Sequence, residues 1–302
     1  MILKTLYSSG VNIMEYFRTK NNVQENEKDA ILAAYDLQAG SYIKHLPIKS
    51  MYHIDGHPKE MTSHQYLCEF VKYLGDEISQ FEHSSILEAG VGEATTLAYL
   101  IEYMEESSSK FFGFDIAPSR ILYGKEFLRQ KKQEAELFVG NMLSIPYQDN
   151  SFDIVYTVHA IEPNTSDAKN IIKELYRVTK KYLILIEPSF ELGNNETKAN
   201  INKHAYVKEL KQQVDELKYE VVKYKLFPVG TFSNQPAIMI IKKDSNCDDV
   251  TSYCCPSCHS KIVFDNGGGY CINCSVFYPI IKKIPILTRE AGVFFSHYLD
   301  EF

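Results

Sequence analysis

Short apolar segments alternate with segments of helical periodicity through the middle of this chain. The apolar segments are residues 85–89, 111–114, 136–139, 153–157 and 182–186, and the helical segments are residues 95–103, 118–129 and 167–179. Buried strands separated by helices of this length are typical of a parallel sheet with right-handed crossovers. The pattern therefore predicts an α/β, Rossmann-like domain.

The segments that follow have a different pattern. A helix is predicted at 203–217, and two strand-like segments follow it, 220–227 and 236–242. Because the turn-rich residues 228–235 join these two segments, we expect a hairpin rather than another crossover.

Composition divides the chain into three parts. The first 80 residues are polar and rich in tyrosine, with helices predicted at 27–37 and 64–81. A polar linker, 244–252, precedes a last part rich in cysteine, glycine and tyrosine. The predicted domains are a helical lid or extension (1–80), a central α/β domain (81–246) and a C-terminal module (247–302).

The C-terminal module contains two C-x-x-C pairs separated by 12 residues. The pairs are formed by Cys255, Cys258, Cys271 and Cys274. Four thiolates held in pairs by two turns form the closed tetrahedral site of structural zinc, so we predict a zinc ribbon. Cys254 is interpreted as a bystander or an alternate ligand, whereas Cys247 and Cys68 are expected to bind no metal.

The first predicted strand ends in a glycine-containing loop, Glu88-Ala-Gly90-Val-Gly92-Glu93, that precedes a helix. Glycines there allow a tight turn and close approach of a ligand to the backbone. A dinucleotide site usually has a third glycine, but Thr95 occupies that position. The Glu88 carboxylate is also wrong for a pyrophosphate, whereas it suits a ligand with an ammonium group. An ordinary glycine turn is the alternative.

The second strand ends in Asp115, which lies 23 residues after Gly92. A carboxylate at this position can accept hydrogen bonds from both hydroxyls of a ribose. Alternatively, Asp115 caps the helix that starts at Ala117-Pro118.

These motifs, in this order and spacing over residues 80–243, resemble the class I S-adenosylmethionine (SAM)-dependent methyltransferases. That resemblance implies a seven-stranded sheet that ends in the antiparallel hairpin. It implies that Glu88, Gly90 and Gly92 line the methionine moiety and that Asp115 binds the ribose. Ile116 is then expected to flank the adenine, with Asn141 and Met142 at the adenine edge. Val158 and His159 are expected to lie beside the sulfonium. The family often has Asp where this chain has Asn141, whose carbonyl can still accept from the adenine amine.

The segment from Tyr35 to Tyr42 is similar to the N-terminal Tyr-x₆-Tyr segment of many small-molecule methyltransferases. The resemblance implies that these two aromatic rings cover the cofactor as a lid. An amphipathic helix with core tyrosines is the alternative interpretation.

Polar residues after the fourth strand are candidates for handling the methyl acceptor. His159 is predicted to be a general base, with Glu162 orienting it or holding an amine substrate. Packing on the cofactor and a structural hydrogen bond are alternatives for His159. Glu187, His204 and Tyr206 could reach the same mouth, or could serve as cap, loop or core residues.

The end of the C-terminal module, Tyr278-Pro279-Ile…Ile284-Pro285-Ile-Leu287, resembles the zinc-ribbon family that includes the activator subunit of tRNA and release-factor methyltransferases. That resemblance implies a ribbon that stabilises the catalytic domain by strand addition. Residues 245–302 carry four basic and six acidic side chains, a poor surface for phosphate backbones.

Composition limits the remaining function classes. The 302 residues have a formal net charge of −7 and no apolar stretch of the about 18–20 residues that span a bilayer. The chain start lacks the features of a signal peptide, so a cytoplasmic protein is expected.

We predict an enzyme that methylates a small polar metabolite, with a sugar or sugar nucleotide of bacterial surface glycans (nonulosonic-acid type) as the sub-class. The alternatives are an RNA or protein methyltransferase with a built-in activator, and a non-catalytic SAM-binding scaffold.

Overall fold

The computed structural model describes residues 2–245, 252–265 and 267–300. A seven-stranded mixed sheet forms its centre. In spatial order its strands are Glu136–Val139 (β5), Lys110–Asp115 (β4), Ser85–Ala89 (β3), Phe152–Val158 (β6), Thr179–Pro188 (β7), Pro236–Lys242 (β10) and Glu220–Leu226 (β8). The first five strands are parallel, and β10 is antiparallel to both of its neighbours. The α/β, Rossmann-like prediction and its terminal hairpin are confirmed.

Helices cover both faces of this sheet because successive strand residues point to opposite sides. Ile86 belongs to one apolar cluster and Leu87 to the other, and both are fully buried. The first cluster is covered by α5, α6 and α7, and the second by α8 and α10. Their bounds are Ser63–Ile78 (α5), Thr95–Tyr103 (α6), Pro118–Lys131 (α7), Ala168–Val178 (α8) and Leu210–Glu216 (α10).

The sequence predicts a helical N-terminal part, but the structure there contains strands as well as helices. It contains four helices and a hairpin: Ile2–Ser8 (α1), Ile13–Asn21 (α2), Lys28–Gln38 (α3), Ser41–His45 (α4), Lys49–Ile54 (β1) and His57–Thr62 (β2). The hairpin turns at Asp55-Gly56, where both residues have positive φ, as a two-residue hairpin turn requires. Strand β1 also pairs with the short strand Val229–Gly230 (β9).

The single helix predicted at 203–217 is wrong. Two helices occupy this region, Asn195–His204 (α9) and α10. The Asn194 side chain caps Thr197 N, and Ala205 ends α9 in the left-handed conformation with φ 54°. The Asn194 cap and the left-handed Ala205 therefore set the two ends of α9, which begins and ends earlier in the chain than the predicted helix.

The C-terminal module is a small antiparallel assembly around a core that includes Ile262, Tyr278 and Leu287. Its elements are Val263–Phe264 (β11), Gly268–Cys271 (β12), Val276–Ile281 (β13), Ile284–Pro285 (β14), a 3₁₀ turn at Arg289–Ala291 and Val293–Phe294 (β15). Cys247 and the predicted boundary at 246 lie outside the described residues. Over the described ranges, we find no helix that is both long and apolar enough to cross a bilayer.

Candidate active site

A cavity of about 580 Å³ lies at the carboxyl ends of β3, β4, β5 and β6, beneath the N-terminal helices. This is the edge of an open α/β sheet at which ligands bind. Every catalytic or cofactor residue predicted from the sequence lines this cavity: Tyr35, Tyr42, Glu88, Gly90, Gly92, Asp115, Ile116, Asn141, Met142, Val158, His159 and Glu162. Their individual roles stay predictions.

One position in the loop after β3, Gly90, requires glycine. Gly90 has φ +77°, and a Cβ there would lie 2.4 Å from Ala160 Cβ and 2.9 Å from the Met142 side chain. The Gly90 and Val91 N–H groups both donate to the Phe114 carbonyl, each at 2.9 Å. The loop is thereby fastened to β4 and brought against the segments that follow β5 and β6.

Glu88 is a buried carboxyl group at the end of β3. Its side chain is 2% exposed and accepts a hydrogen bond from the Tyr156 hydroxyl at 2.8 Å. Burial raises the pKa of Glu88 to about 8, against the opposing effect of the Tyr156 hydrogen bond. The group is therefore mainly neutral near pH 7 unless a cation is placed beside it.

Asp115 connects the loop after β3 with the start of α7. One carboxylate oxygen accepts from Gly92 N at 3.0 Å, and the other accepts from Ala117 N at 2.8 Å. Burial raises its pKa, and the nearby Arg120 charge opposes this shift. Ala117 lies before the first residue of α7, so this contact shapes the approach to the helix, and Asp115 is not the N-cap that the sequence suggested as an alternative. Each oxygen retains a second lone pair for a ligand hydroxyl.

Asn141 shapes the loop after β5 through its own side chain. Its Oδ1 accepts from Leu143 N at 3.0 Å, and its carbonyl accepts from Ser144 N at 2.9 Å. This Asx-type turn sets Met142 against the wall of the cavity.

His159 lies just after β6, in the left-handed region with φ 52°. Its Nδ1 is 3.3 Å from Glu162 Oε2 and 3.3 Å from Asn234 Nδ2, so its ring is held from one side. Burial disfavours the charged ring, but the hydrogen bond to Glu162 and the carboxylates of Glu162 and Glu187 raise the pKa of His159 above its usual value. Burial and the nearby Glu162 carboxylate raise the pKa of Tyr206.

Glu187 fixes the backbone of the loop that carries His159. Its carboxylate accepts from the N–H groups of Ala160, Ile161 and Glu162 at 3.1, 3.2 and 3.3 Å. Burial, together with the neighbouring Glu162 carboxylate, raises the pKa of Glu187 to about 7. Glu187 therefore supports the loop rather than lining the cavity.

Comparison with known proteins agrees with this geometry. Residues 86–182 match the family model described as a methyltransferase domain. The chain contains a methyltransferase domain.

Curated relatives match this domain only in part. The chain is 27% identical over 103 residues to the protein YrhH of Bacillus subtilis (strain 168), which covers 34% of this chain and 56% of that one. It is 32% identical over 74 residues to the demethylmenaquinone methyltransferase of Anoxybacillus flavithermus, covering 24% of this chain and 31% of that one. The chain thus spans about half, or less, of the length of these relatives.

A solved structure extends the likeness in fold. The crystal structure of the cyclase SpnF matches with a TM-score of 0.58 and 11% identity, covering 74% of this chain and 98% of that one. At this identity the match concerns the fold alone.

Arg120 is a residue of the methyltransferase domain that sequence reasoning missed. It is 5% exposed, and its guanidinium carbon lies 4.6 Å from the Tyr35 ring centroid and 4.7 Å from that of Tyr42. It also donates to the Tyr35 carbonyl at 3.1 Å and to Gln38 at 2.6 Å. The two tyrosines predicted to form a lid thus hold a buried cation between them.

Two acidic residues also fasten the N-terminal helices to the domain, and the sequence did not identify them. The Glu93 carboxylate accepts from Gly40 N at 2.9 Å and from Ile43 N at 3.0 Å, at the start of α4. Asp36 accepts from Ser119 N at 2.8 Å, at the start of α7. An acid directly after Gly92 was a visible signal for Glu93, but its partner lies about 50 residues away.

The four cysteines of the two C-x-x-C pairs converge. The Sγ atoms of Cys255, Cys258, Cys271 and Cys274 all lie within 4.8 Å of one another. Cys255 Sγ is 4.0 Å from Cys274 Sγ, and Cys258 Sγ is 3.5 Å from Cys271 Sγ. Tetrahedral zinc with bonds of about 2.3 Å separates its sulfurs by about 3.8 Å, so the cluster fits this ion. Among the described cysteines, Cys254 and Cys68 lie outside the cluster.

The cysteine module holds both ends of the loop that contains Asn141. Leu287 N donates to the Val139 carbonyl at 2.8 Å, and Ile286 forms a parallel bridge with Val139. At the other end of the loop, Cys254 N donates to the Pro146 carbonyl at 2.8 Å. The module thus adds to the free edge of β5, directly before the cavity wall.

Proposed function

We propose that this protein is a SAM-dependent methyltransferase that acts on a small molecule. One observation carries the proposal: Glu88, Asp115 and Asn141 lie at the carboxyl ends of three neighbouring parallel strands, β3, β4 and β5, and line a single cavity. Bound SAM would supply a methyl group on a positively charged sulfur.

The residues around the cavity suit the separate parts of that cofactor. The Glu88 carboxyl group would hold the ammonium of the methionine moiety, with Gly90 and Gly92 letting it approach the backbone. Asp115 would accept from the ribose hydroxyls. Adenine would lie between Ile116 and the Asn141–Met142 turn. Val158 and His159 would lie beside the sulfur, and Tyr35 and Tyr42 would cover the bound cofactor.

His159 is proposed to remove the proton of the acceptor. Glu162 Oε2 lies 3.3 Å from Nδ1 and suits a hydrogen on that nitrogen, which leaves the Nε2 lone pair available. In this tautomer Nδ1 cannot accept from Asn234 Nδ2, so that 3.3 Å approach is a contact without a hydrogen bond. Glu162 would orient the ring and stabilise its charged form, and Glu187 would hold the loop. Positioning in a water-poor cavity would supply much of the remaining acceleration.

A small-molecule acceptor is favoured by the size of the cavity, about 580 Å³, and by relatives named demethylmenaquinone methyltransferase. The sugar or sugar-nucleotide sub-class predicted from the sequence has no support among the named relatives. We place the protein in the cytoplasm, where thiols stay reduced.

Labelled SAM incubated with a host extract tests this proposal. The extract is then separated into small-molecule, RNA and protein fractions. Label in the small-molecule fraction is expected. Label in RNA or protein would instead support a methyltransferase with a built-in activator, and SAM binding without any transfer would support the scaffold alternative.

We further propose that the four cysteines bind one structural zinc ion. Two features support this: the thiols form a closed set of four, and the Tyr278 hydroxyl lies 3.3 Å from Cys255 Sγ as a neighbouring hydrogen-bonding group. Metal analysis of purified protein should give one zinc per chain, and a zinc-free folded protein would refute the assignment.

A further inference from the structure

We propose that the methyl acceptor is an uncharged hydroxyarene, a planar ring with a weakly acidic hydroxyl. This inference rests on the proposed function and narrows its substrate class. It is carried by the rings, the charges and the base that line the part of the cavity not assigned to the cofactor.

Several aromatic side chains line that part of the cavity. Tyr52 from β1 and Tyr66 from α5 stack with their ring centroids 4.2 Å apart at 20°, and Phe70 lies 6.0 Å from Tyr66. Tyr206 lines the cavity near Glu162. Tyr52 and Phe70 are buried, so these rings offer an apolar wall that suits a planar, weakly hydrated ring.

The charges of the cavity disfavour an anionic acceptor. Of the Lys and Arg side chains among the described residues, two line the cavity: Lys28, which is ion-paired with Glu290, and Arg120, which is engaged by Tyr35 and Gln38. The acids Glu162 and Asp167 line it as well. A nucleoside diphosphate would place two negative charges beside these carboxylates without a free cation, at a high desolvation cost.

The proposed general base, His159, narrows the class of methyl acceptor further. His159 can take a proton from a phenol, whose pKa is about 10 as in tyrosine. An aliphatic sugar hydroxyl is a much weaker acid, so its proton would move to the same base with a smaller driving force, and a neutral amine can attack the methyl group before it loses a proton. In the reaction, the hydroxyl proton goes to His159 Nε2 and the oxygen forms a bond to the methyl carbon. The carbon–sulfur bond breaks with its electron pair left on sulfur, giving a methyl ether and S-adenosylhomocysteine.

A panel of acceptors tests the inference. Catechol and 1-naphthol are compared with glucose and UDP-glucose, using labelled SAM and the full-length protein. We expect transfer to the hydroxyarenes to be at least tenfold faster than to either sugar. Equal or faster transfer to a sugar would overturn the inference while leaving the methyltransferase proposal intact.

A matched pair of variants tests where the ring binds. Tyr52→Leu should raise KM for the hydroxyarene about tenfold while the affinity for SAM stays unchanged. Tyr73→Leu, on α5 but outside the cavity, is the control and should leave both unchanged. An unaltered KM in Tyr52→Leu would contradict this placement. In the host extract, a labelled product retained on an anion exchanger would overturn the substrate class alone, whereas no labelled small molecule would overturn the proposed function itself.

Discussion

The Asp115 carboxylate accepts the Gly92 N–H at 3.0 Å, which ties the loops after β3 and β4 to each other. The same carboxylate accepts from the N–H of Ala117, the residue that precedes α7, at 2.8 Å. One side chain therefore fixes the glycine loop, holds the segment that leads into α7 and presents lone pairs to the cavity.

Substitutions at Asp115 separate its structural role from the proposed ribose contact. Asp115→Asn keeps one acceptor oxygen but loses the charge and one of the two backbone hydrogen bonds, so SAM affinity should fall by about 1–3 kcal/mol, with a smaller loss of melting temperature than in Asp115→Ala. Asp115→Ala should lower both. Calorimetry and thermal denaturation check this, and wild-type SAM affinity in both variants would refute the ribose assignment.

Glu88 should make cofactor binding depend on pH. Burial raises its pKa to about 8 in the ligand-free fold, so an arriving ammonium group must displace a proton at pH 7. SAM affinity should therefore rise from pH 6.5 to pH 8.5, by up to about tenfold per unit below the pKa. Without ligand, the raised pKa should lower stability as pH rises from the usual 4.5 toward 8.

Calorimetry in buffers of different ionisation enthalpy measures the proton released on SAM binding. Glu88→Gln is the control, since it keeps the shape of the side chain but has no proton to release. Binding of wild-type protein at pH 7 without proton release would show that the ammonium does not meet Glu88.

His159 should govern turnover rather than cofactor binding. His159→Ala should reduce kcat by about 10²-fold, the usual contribution of a general base, with SAM affinity retained. Because neighbouring carboxylates raise its pKa, the rate should fall on acidification from a midpoint above pH 6.5. Glu162→Gln should move that midpoint to lower pH, and a pH profile that is identical in this variant would exclude the His159–Glu162 pair.

Loss of the zinc site should weaken SAM binding at a distance. The cysteine module holds Val139 and Pro146, which flank the Asn141 loop, so Cys258→Ser should lower zinc content and SAM affinity together. A fall in SAM affinity of about fivefold or more is expected. Cys68→Ser, at an exposed position on α5, is the control. Unchanged SAM affinity in a zinc-free variant would show that the two sites are uncoupled.

The central sheet could be predicted because its strands are buried on both sides and its helices are amphipathic. Local patterns such as β3 and β5 were therefore found at their true bounds. The contacts of Glu93 with Gly40 and of Arg120 with Tyr35 could not be predicted, since they join distant segments whose packing has no local periodicity. The β1–β2 hairpin was missed although Asp55-Gly56 was a local turn signal.

The site residues also divide into those that local sequence patterns can predict and those that depend on contacts between distant segments. Residues at the carboxyl ends of strands, such as Glu88 and Asp115, can be predicted because the ends of parallel strands meet at one edge. The support of the His159 loop by Glu187 depends on the register of β6 and β7, which sequence spacing does not determine.

Methyl transfer from labelled SAM into the small-molecule fraction of a host extract tests the central claim most directly, with wild-type protein and Asp115→Ala compared at limiting SAM. The account predicts a labelled small molecule with the wild type and at least fivefold less label with the variant. No labelled small molecule above the enzyme-free control, or equal label with Asp115→Ala, would contradict it.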